Sequence, residues 1–258
     1  MQDLMFKKRV SKGTKFSQIY IPKELYESIQ PGDLVEVRLI EKSTNIYVHN
    51  VKQISDFKKE LIKKIFSFLL KFKIKQVFVV GSFISENTDY TDIDLMLITD
   101  EFEEVFEKNI YSALTEEFGL KFHLLSIKKD NLENLPKICP LTRSMFDNFV
   151  SNKKFCVTNE KIIDKNHLRM LLMMPEDLLE IELNSRAYFD SLRRLITIKN
   201  FLLNKDLSRE KINKELKKNL GEKLYNFTKK NEQLSSKTIS IVRKHLSKNI
   251  KEIRDLIK

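Results

Sequence analysis

Cysteine is scarce in this chain: two in 258 residues, Cys139 and Cys156. They form no Cys-x-x-Cys pair and no zinc-type spacing, which leaves buried or free thiols and removes a metal-stapled reading. No apolar run approaches the length of a membrane span. Lys7, Lys8 and Arg9 near the start are not followed by the apolar core of a secretory leader. The expectation is therefore a soluble, cytoplasmic protein without contact to a membrane. Internal repeats and low-complexity tracts are also missing. The length allows one large domain or two to three small ones.

An excess of acid is lacking too, and the basic excess is unevenly placed. The formal net charge is +11. Residues 151–258 hold 25 Lys and Arg against 14 Asp and Glu, whereas residues 1–150 hold 22 of each. The whole surplus therefore belongs to the C-terminal part. Such asymmetry suits a polyanionic partner, either a nucleotide or a nucleic acid. A set of lysine-coated, solvated helices would give the same count.

What is present is clearest at Gln76–Ile98. Val77-Phe78-Val79-Val80 is a β-branched and aromatic run that predicts a buried strand, and Gly81-Ser82 breaks it. Thr91-Asp92-Ile93-Asp94-Leu95-Met96-Leu97-Ile98 predicts a second strand. Asp92 and Asp94 are two apart, so both carboxylates project from one face while Ile93, Leu95 and Leu97 point away. Two close carboxylates repel unless a cation lies between them or one is protonated. A hard divalent ion such as Mg²⁺ answers that need and keeps positions open for water and phosphate. Gly81 lets backbone approach a phosphate, and Ser82 can donate to it.

Gly81-Ser82, a nine-residue spacer and Asp92-Ile93-Asp94-Leu95 resemble the signature of the polymerase-β-like nucleotidyltransferases. The resemblance implies that the Gly-Ser turn holds the nucleotide phosphates and that Asp92 and Asp94 hold Mg²⁺ or Mn²⁺. The spacer lacks the Arg-Gly often found in minimal members, and Thr91 stands where they usually carry Ser. The family's third carboxylate is expected on the strand Leu120–Ile127. No acid is there, and His123 falls at about that position. Histidine is a candidate base at neutral pH and a poor Mg²⁺ ligand. It is also compatible with a simple packed strand residue. Glu116 and Glu117, ending the preceding helix, are the other candidates for the missing group.

Upstream, residues 5–50 read as a small β module. Phe16–Ile21 alternates, Pro22–Ile29 suits a short helix, Pro31-Gly32-Asp33 is a turn, Leu34–Ile40 is a strand and Asn45–Asn50 another. Gly13, Ile21-Pro22-Lys23-Glu24 and Pro31-Gly32-Asp33-Leu34-Val35-Glu36-Val37 resemble the AbrB-type swapped-hairpin domains. That resemblance implies a homodimer through residues 1–52. It also offers Lys7, Lys8, Arg9, Lys12 and Lys15 as DNA contacts, with a pure dimerisation role as the alternative.

Helices are expected at 56–72, with Phe57, Leu61, Ile65, Phe68, Leu69 and Phe72 inward, and at Asp100–Phe118, closed by Gly119. A short helix is expected at Thr142–Val150. Beyond Asp164 the pattern is helical: a start at Pro175, a long Glu176–Leu203 segment, Ser208–Leu220 closed by Gly221, and Ser235–Ile257. Arg186, Arg193, Arg194 and Lys199 interleave with the apolar stripe; Arg186, Arg193 and Arg194 are candidates for phosphate, with an exposed helix face as the alternative. Arg243-Lys244-His245 lacks the spacing of the ribonuclease motif carried by helical toxin partners.

The fold class is therefore α+β and multi-domain. The expected parts are an AbrB-like β module at 1–52, a nucleotidyltransferase α/β domain with a short mixed sheet at 55–135, and a basic helical domain at 136–258. The expected function is transfer of a nucleoside monophosphate from a triphosphate, ATP first, to a hydroxyl of a protein, RNA or small molecule, releasing pyrophosphate. Two alternatives stand beside it: a regulator that binds nucleotide or nucleic acid without turnover, and an antitoxin-like transferase acting on a partner protein.

Overall fold

The computed structural model describes residues 5–38, 44–72, 74, 76–86, 90–100 and 104–258. The chain divides into two compact units, Met1–Lys42 and Ser43–Lys258. In the first, strands β1 (Ser11–Lys12) and β2 (Ser17–Gln18) pair antiparallel around a turn that Gly13 N–H closes onto the Phe16 carbonyl at 3.0 Å. A single 3-10 turn follows at Lys23–Leu25. Residues 34–38 form no strand, contrary to the alternation expected there, and Leu34, Val35 and Val37 are exposed. Residues 39–43 lie outside the described residues. No described residue up to Arg38 is buried. A two-residue ladder has no apolar face to bury, so strand propensity at 34–38 meets no partner.

The second unit is built on a five-stranded sheet, with strands β3 (Tyr47–His49), β4 (Gln76–Val80), β5 (Ile93–Thr99), β6 (Phe122–Lys128) and β7 (Phe149–Ser151) in the order β3-β7-β4-β5-β6. All neighbours are antiparallel except β5 and β6. A parallel pair needs a crossover, and helix α2 (Glu104–Phe118) supplies it.

Two sequence expectations change here. The strand near Asn45–Asn50 forms, but it pairs with β7 instead of closing the N-terminal module, so the boundary expected at residue 52 falls at 42. The helix expected at Thr142–Val150 is short, and Phe149–Ser151 enters the sheet between β3 and β4. Val150 then packs on one face and Phe149 on the other, a buried, sheet-like environment that outweighs local helical preference. The segment from 136 onward is thus not wholly helical.

The sheet's two faces carry separate cores. Val77, Val79, Ile93, Leu95, Leu97 and Phe122 pack with Ile62, Ile65, Phe66 and Leu69 of α1 (Asp56–Leu69) and with Ile110 and Leu114 of α2. Phe57, expected inward, is exposed, and Lys58 is buried in its stead. On the other face Phe78, Val80, Met96, Ile98 and Ile127 meet Leu132, Phe146 and Phe149. Phe78 stands edge-on to Phe146 and Phe149 at 5.1 and 5.3 Å between centroids, a favourable quadrupolar geometry. Short helices α3 (Leu135–Ile138) and α4 (Pro140–Met145) flank this face.

The remaining helices are α5 (Lys165–Glu180), α6 (Ser185–Leu202), α7 (Arg209–Leu220), α8 (Glu222–Lys229) and α9 (Ser236–Ile257). Pro175 lies inside α5, buried, and does not start a helix. The long segment expected from Glu176 breaks at Ile181–Asn184, where the Asn184 side chain caps α6 by accepting from Ala187 N–H. Ile239, Val242, Leu246, Ile250, Ile253 and Ile257 form the inner face of α9 as their spacing predicts. The helices are tied to the sheet portion by α4 against α6, and by Ser144 Oγ donating to the Leu207 carbonyl at 2.8 Å. Among the described residues, no helix is long and apolar enough to cross a membrane.

Candidate active site

The site forms where β4 ends. Asp94 of β5 lies opposite Val80, the last residue of β4, and beside His123 of β6. Strand alternation puts Asp94 on the same face as Met96 and Ile98, and His123 on the same face as Ile127. The parallel register therefore sets the two polar side chains together, and His123 Nδ1 is 3.0 Å from Asp94 Oδ1. With Asp94 ionised, the bond assigns the proton to Nδ1, which donates, and leaves Nε2 as a proton acceptor.

Gly81 is required twice at this corner. Its φ is +81°, in the region that disfavours a side chain. A Cβ there would also fall 1.9 Å from Asp94 Oδ2. The carboxylate thus rests directly on the glycine, and one turn positions both the backbone and the acid. Ser82 follows, its carbonyl accepting from Ser85 N–H at 3.1 Å and Ser85 Oγ at 2.7 Å. The turn is held from behind by Lys58, whose Nζ donates to the Ser85 carbonyl at 2.8 Å and lies 5.4 and 5.3 Å from the Phe83 and Tyr90 ring centres.

Burial raises the pKa of the Asp94 carboxyl above its ordinary value. The His123 hydrogen bond opposes that rise, the Asp92 charge adds to it, and the charges of His123 and Arg209 oppose it further. Asp92, just before β5, accepts from Thr91 Oγ1 at 3.3 Å. Asp94 and His123 therefore meet beside the Gly-Ser turn, and the charge of Asp92, at the bend just before β5, acts on Asp94. Glu116 and Glu117 do not join them: α2 packs on the opposite face of the sheet.

Among the described residues no group of three acidic, histidine or cysteine side chains could by itself hold a metal ion. Two carboxylates, Asp92 and Asp94, would be the donor set. That set fits Mg²⁺ or Mn²⁺, which use one or two carboxylates and fill the other positions with water and phosphate. The half-buried, like-charged state of Asp94 is what a cation would relieve.

Sequence reasoning missed Arg209. It opens α7, and its charge acts on Asp94 although the two are far apart in sequence. Arg193 of α6 acts on Asp94 as well; burial lowers its pKa, Asp190 opposes that, and Arg209 and Arg186 add to it. Arg186 is engaged with Asp190 at 3.1 Å, while Arg193 Nη2 is 3.7 Å from Asp190 Oδ1, beyond a hydrogen bond. Lys199 is taken up by Glu252 at 2.6 Å. The charges of Arg209 and Arg193, on the helical part, thus act on Asp94 of the sheet. The only advance signal was the position of Arg209 at a predicted helix start.

Compared with known proteins, the chain matches no family model and has no significant match among curated sequences.

Proposed function

We propose that the protein transfers a nucleoside monophosphate from a nucleoside triphosphate, ATP first, to an acceptor hydroxyl. The observation that carries this reading is the Asp94 carboxylate seated on Gly81 and bonded to His123, with the charge of Asp92 acting on it. Gly81 and Ser82 would receive the phosphates through backbone N–H groups and the Ser82 hydroxyl. Asp92 and Asp94 would hold Mg²⁺ or Mn²⁺, which when bound neutralises charge on the reacting phosphate oxygens. Arg193 and Arg209 would face the remaining phosphate charge.

His123 Nε2 takes the proton of the acceptor hydroxyl, with Nδ1–H kept on Asp94. The freed oxygen attacks the α-phosphorus, and the bond to the bridging oxygen of the β-phosphate breaks. Pyrophosphate leaves with that electron pair. A histidine oriented by a carboxylate is a competent base at neutral pH, so the lack of a third acid does not remove the proton acceptor.

The test is incubation with α-labelled triphosphate, Mg²⁺ or Mn²⁺, and candidate RNAs and proteins. Label should move to an acceptor and fail to move with Asp92→Ala/Asp94→Ala. Transfer that survives in the double variant refutes the assignment.

The N-terminal unit is read as a pairing module completed by a second copy of the chain. Phe16, Tyr20, Leu34, Val35 and Val37 are exposed, and no described residue of this unit is buried. Light scattering should give a dimer at micromolar concentration, and deletion of residues 1–42 should give a monomer. A full-length monomer would remove this part of the reading.

A further inference from the structure

Helix α9 turns Ile239, Val242, Leu246, Ile250, Ile253 and Ile257 inward. At about 100° per residue, Lys237, Lys244 and Lys248 fall opposite that stripe and within roughly 40° of one another. They span about 16 Å at 1.5 Å per residue. All three are exposed, and none makes a hydrogen bond or ion pair among the described residues. The two carboxylates of α9 are engaged by other lysines: Glu252 by Lys199 at 2.6 Å and Asp255 by Lys258 at 2.7 Å. Lys251 continues the row, its charge acting on Asp255. Burial lowers the pKa of His245, and the charge of Lys248 adds to that.

Beside this row the surface is hollow. A groove of about 440 Å³ lies between α9 and the end of α5. Ser236, Ser240 and Ser247 line it together with Lys244, and these three hydroxyls have no partner among the described residues. Arg243 fixes its wall, because Nε donates to the Leu178 carbonyl at 3.0 Å and Nη2 to the Glu180 carbonyl at 3.2 Å. Those bonds tie α9 to the last turn of α5. Glu182 also lines the groove and would hold an anion toward the α9 side.

We infer that the outer face of α9 and this groove bind the sugar–phosphate backbone of a nucleic-acid strand, with Lys237, Lys244 and Lys248 on phosphates and the three serines donating to phosphate or sugar oxygens. Contacts of this kind position a strand without reading its sequence. An anionic lipid surface fits less well. A membrane-lying helix sinks its apolar face into lipid, whereas the apolar face of α9 is packed in the core of its own domain. The inference does not rest on the transferase reading.

The experiment measures anisotropy of fluorescent single-stranded RNA and DNA of equal sequence with the full chain over a range of salt, without nucleotide or metal. Wild-type protein should bind, with affinity falling as salt rises. Lys237→Gln/Lys244→Gln/Lys248→Gln should reduce the steepness of log affinity against log salt by about 2, from roughly 0.7 per single-strand phosphate released. Lys211→Gln/Lys214→Gln/Lys218→Gln removes the same charge from α7 and should leave the slope unchanged. Ser240→Ala/Ser247→Ala should weaken binding about 10-fold at constant slope. Circular dichroism should show that each variant is folded. Asp92→Ala/Asp94→Ala should bind as wild type does, which separates this claim from the chemistry. Preference for RNA over DNA supports a 2′-hydroxyl contact at the serines. Absence of wild-type binding at low salt, an unchanged slope in the α9 lysine variant, an equal loss of slope in the α7 variant, or full affinity in the serine variant overturns the proposal. So does binding of phosphatidylserine vesicles through the α9 lysines when neither strand binds.

Discussion

Replacing Gly81 by alanine separates the two demands made at the corner of the site. The φ of +81° disfavours any side chain, at a cost of about 1–2 kcal/mol. The new Cβ would fall 1.9 Å from Asp94 Oδ2, where real Cβ contacts stay beyond 3.0 Å. Asp94 must therefore retreat by about 1 Å and loosen its bond to His123. That bond is partly solvated, so its loss adds about 1 kcal/mol. The total is about 2–3 kcal/mol, which for a unit of this size lowers Tm by roughly 4–12 °C. A displacement of about 1 Å in a reacting group costs on the order of 10²-fold in rate. The assay is a thermal melt alongside label transfer. The control is the same change in an Asp94→Ala background, where the carboxylate is gone and only the backbone cost of about 1–2 kcal/mol remains. Equal destabilisation in both backgrounds, or full activity in Gly81→Ala, refutes the claim that glycine is needed to seat Asp94.

Asp94→Asn tests the electrostatics. The folded-state pKa of Asp94 is raised, so the folded chain binds this proton more tightly than the unfolded chain. Stability from this group is full below the ordinary carboxylate pKa and is lost as pH rises through the raised value. Urea midpoints of Asp94→Asn should therefore gain on wild type from pH 4 to pH 7, and a gap that shrinks over that range contradicts the sign. Lys58→Met removes the donor to the Ser85 carbonyl and the cation between Phe83 and Tyr90. The expected cost is about 1–3 kcal/mol by denaturant unfolding, with a rise in KM for triphosphate, because the turn at Gly81-Ser82 loses its brace. Leu246→Ala, fully buried on α9, should cost about 2–5 kcal/mol and leave triphosphate affinity unchanged.

Local pattern carried the site. An apolar run, a glycine break and an Asp-x-Asp pair are short-range features, and the structure sets the run on β4, Gly81 just after it and Asp94 on β5, while Asp92, expected on the same strand, lies at the bend before it. The apolar spacing of α9 was legible for the same reason. What was hidden depends on distant partners. Phe149-Val150 reads as the end of a helix, and only β3 and β4 on either side turn Phe149–Ser151 into a strand. Residues 34–38 show the converse, because good strand formers without a neighbouring ladder stay unpaired. Pro175 was read as a helix start because proline favours the first turn, yet α5 begins ten residues earlier at Lys165, behind its cap at Asp164. His123 could be placed by spacing, but its bond to Asp94 needed the parallel register of β5 and β6. The charge of Arg209 acts on Asp94 from α7, which packs on α6, itself against α4, and these contacts have no local signature.

The claim beneath all of this is that Asp92 and Asp94 share a cation that carries a triphosphate onto Gly81-Ser82. Mn²⁺ electron paramagnetic resonance, with a non-hydrolysable triphosphate present, tests it most directly. The wild-type chain should hold Mn²⁺ in the presence of the analogue, and Asp94→Ala should release it. Mn²⁺ that remains free with the wild-type chain, or that stays equally bound to Asp94→Ala, contradicts the account.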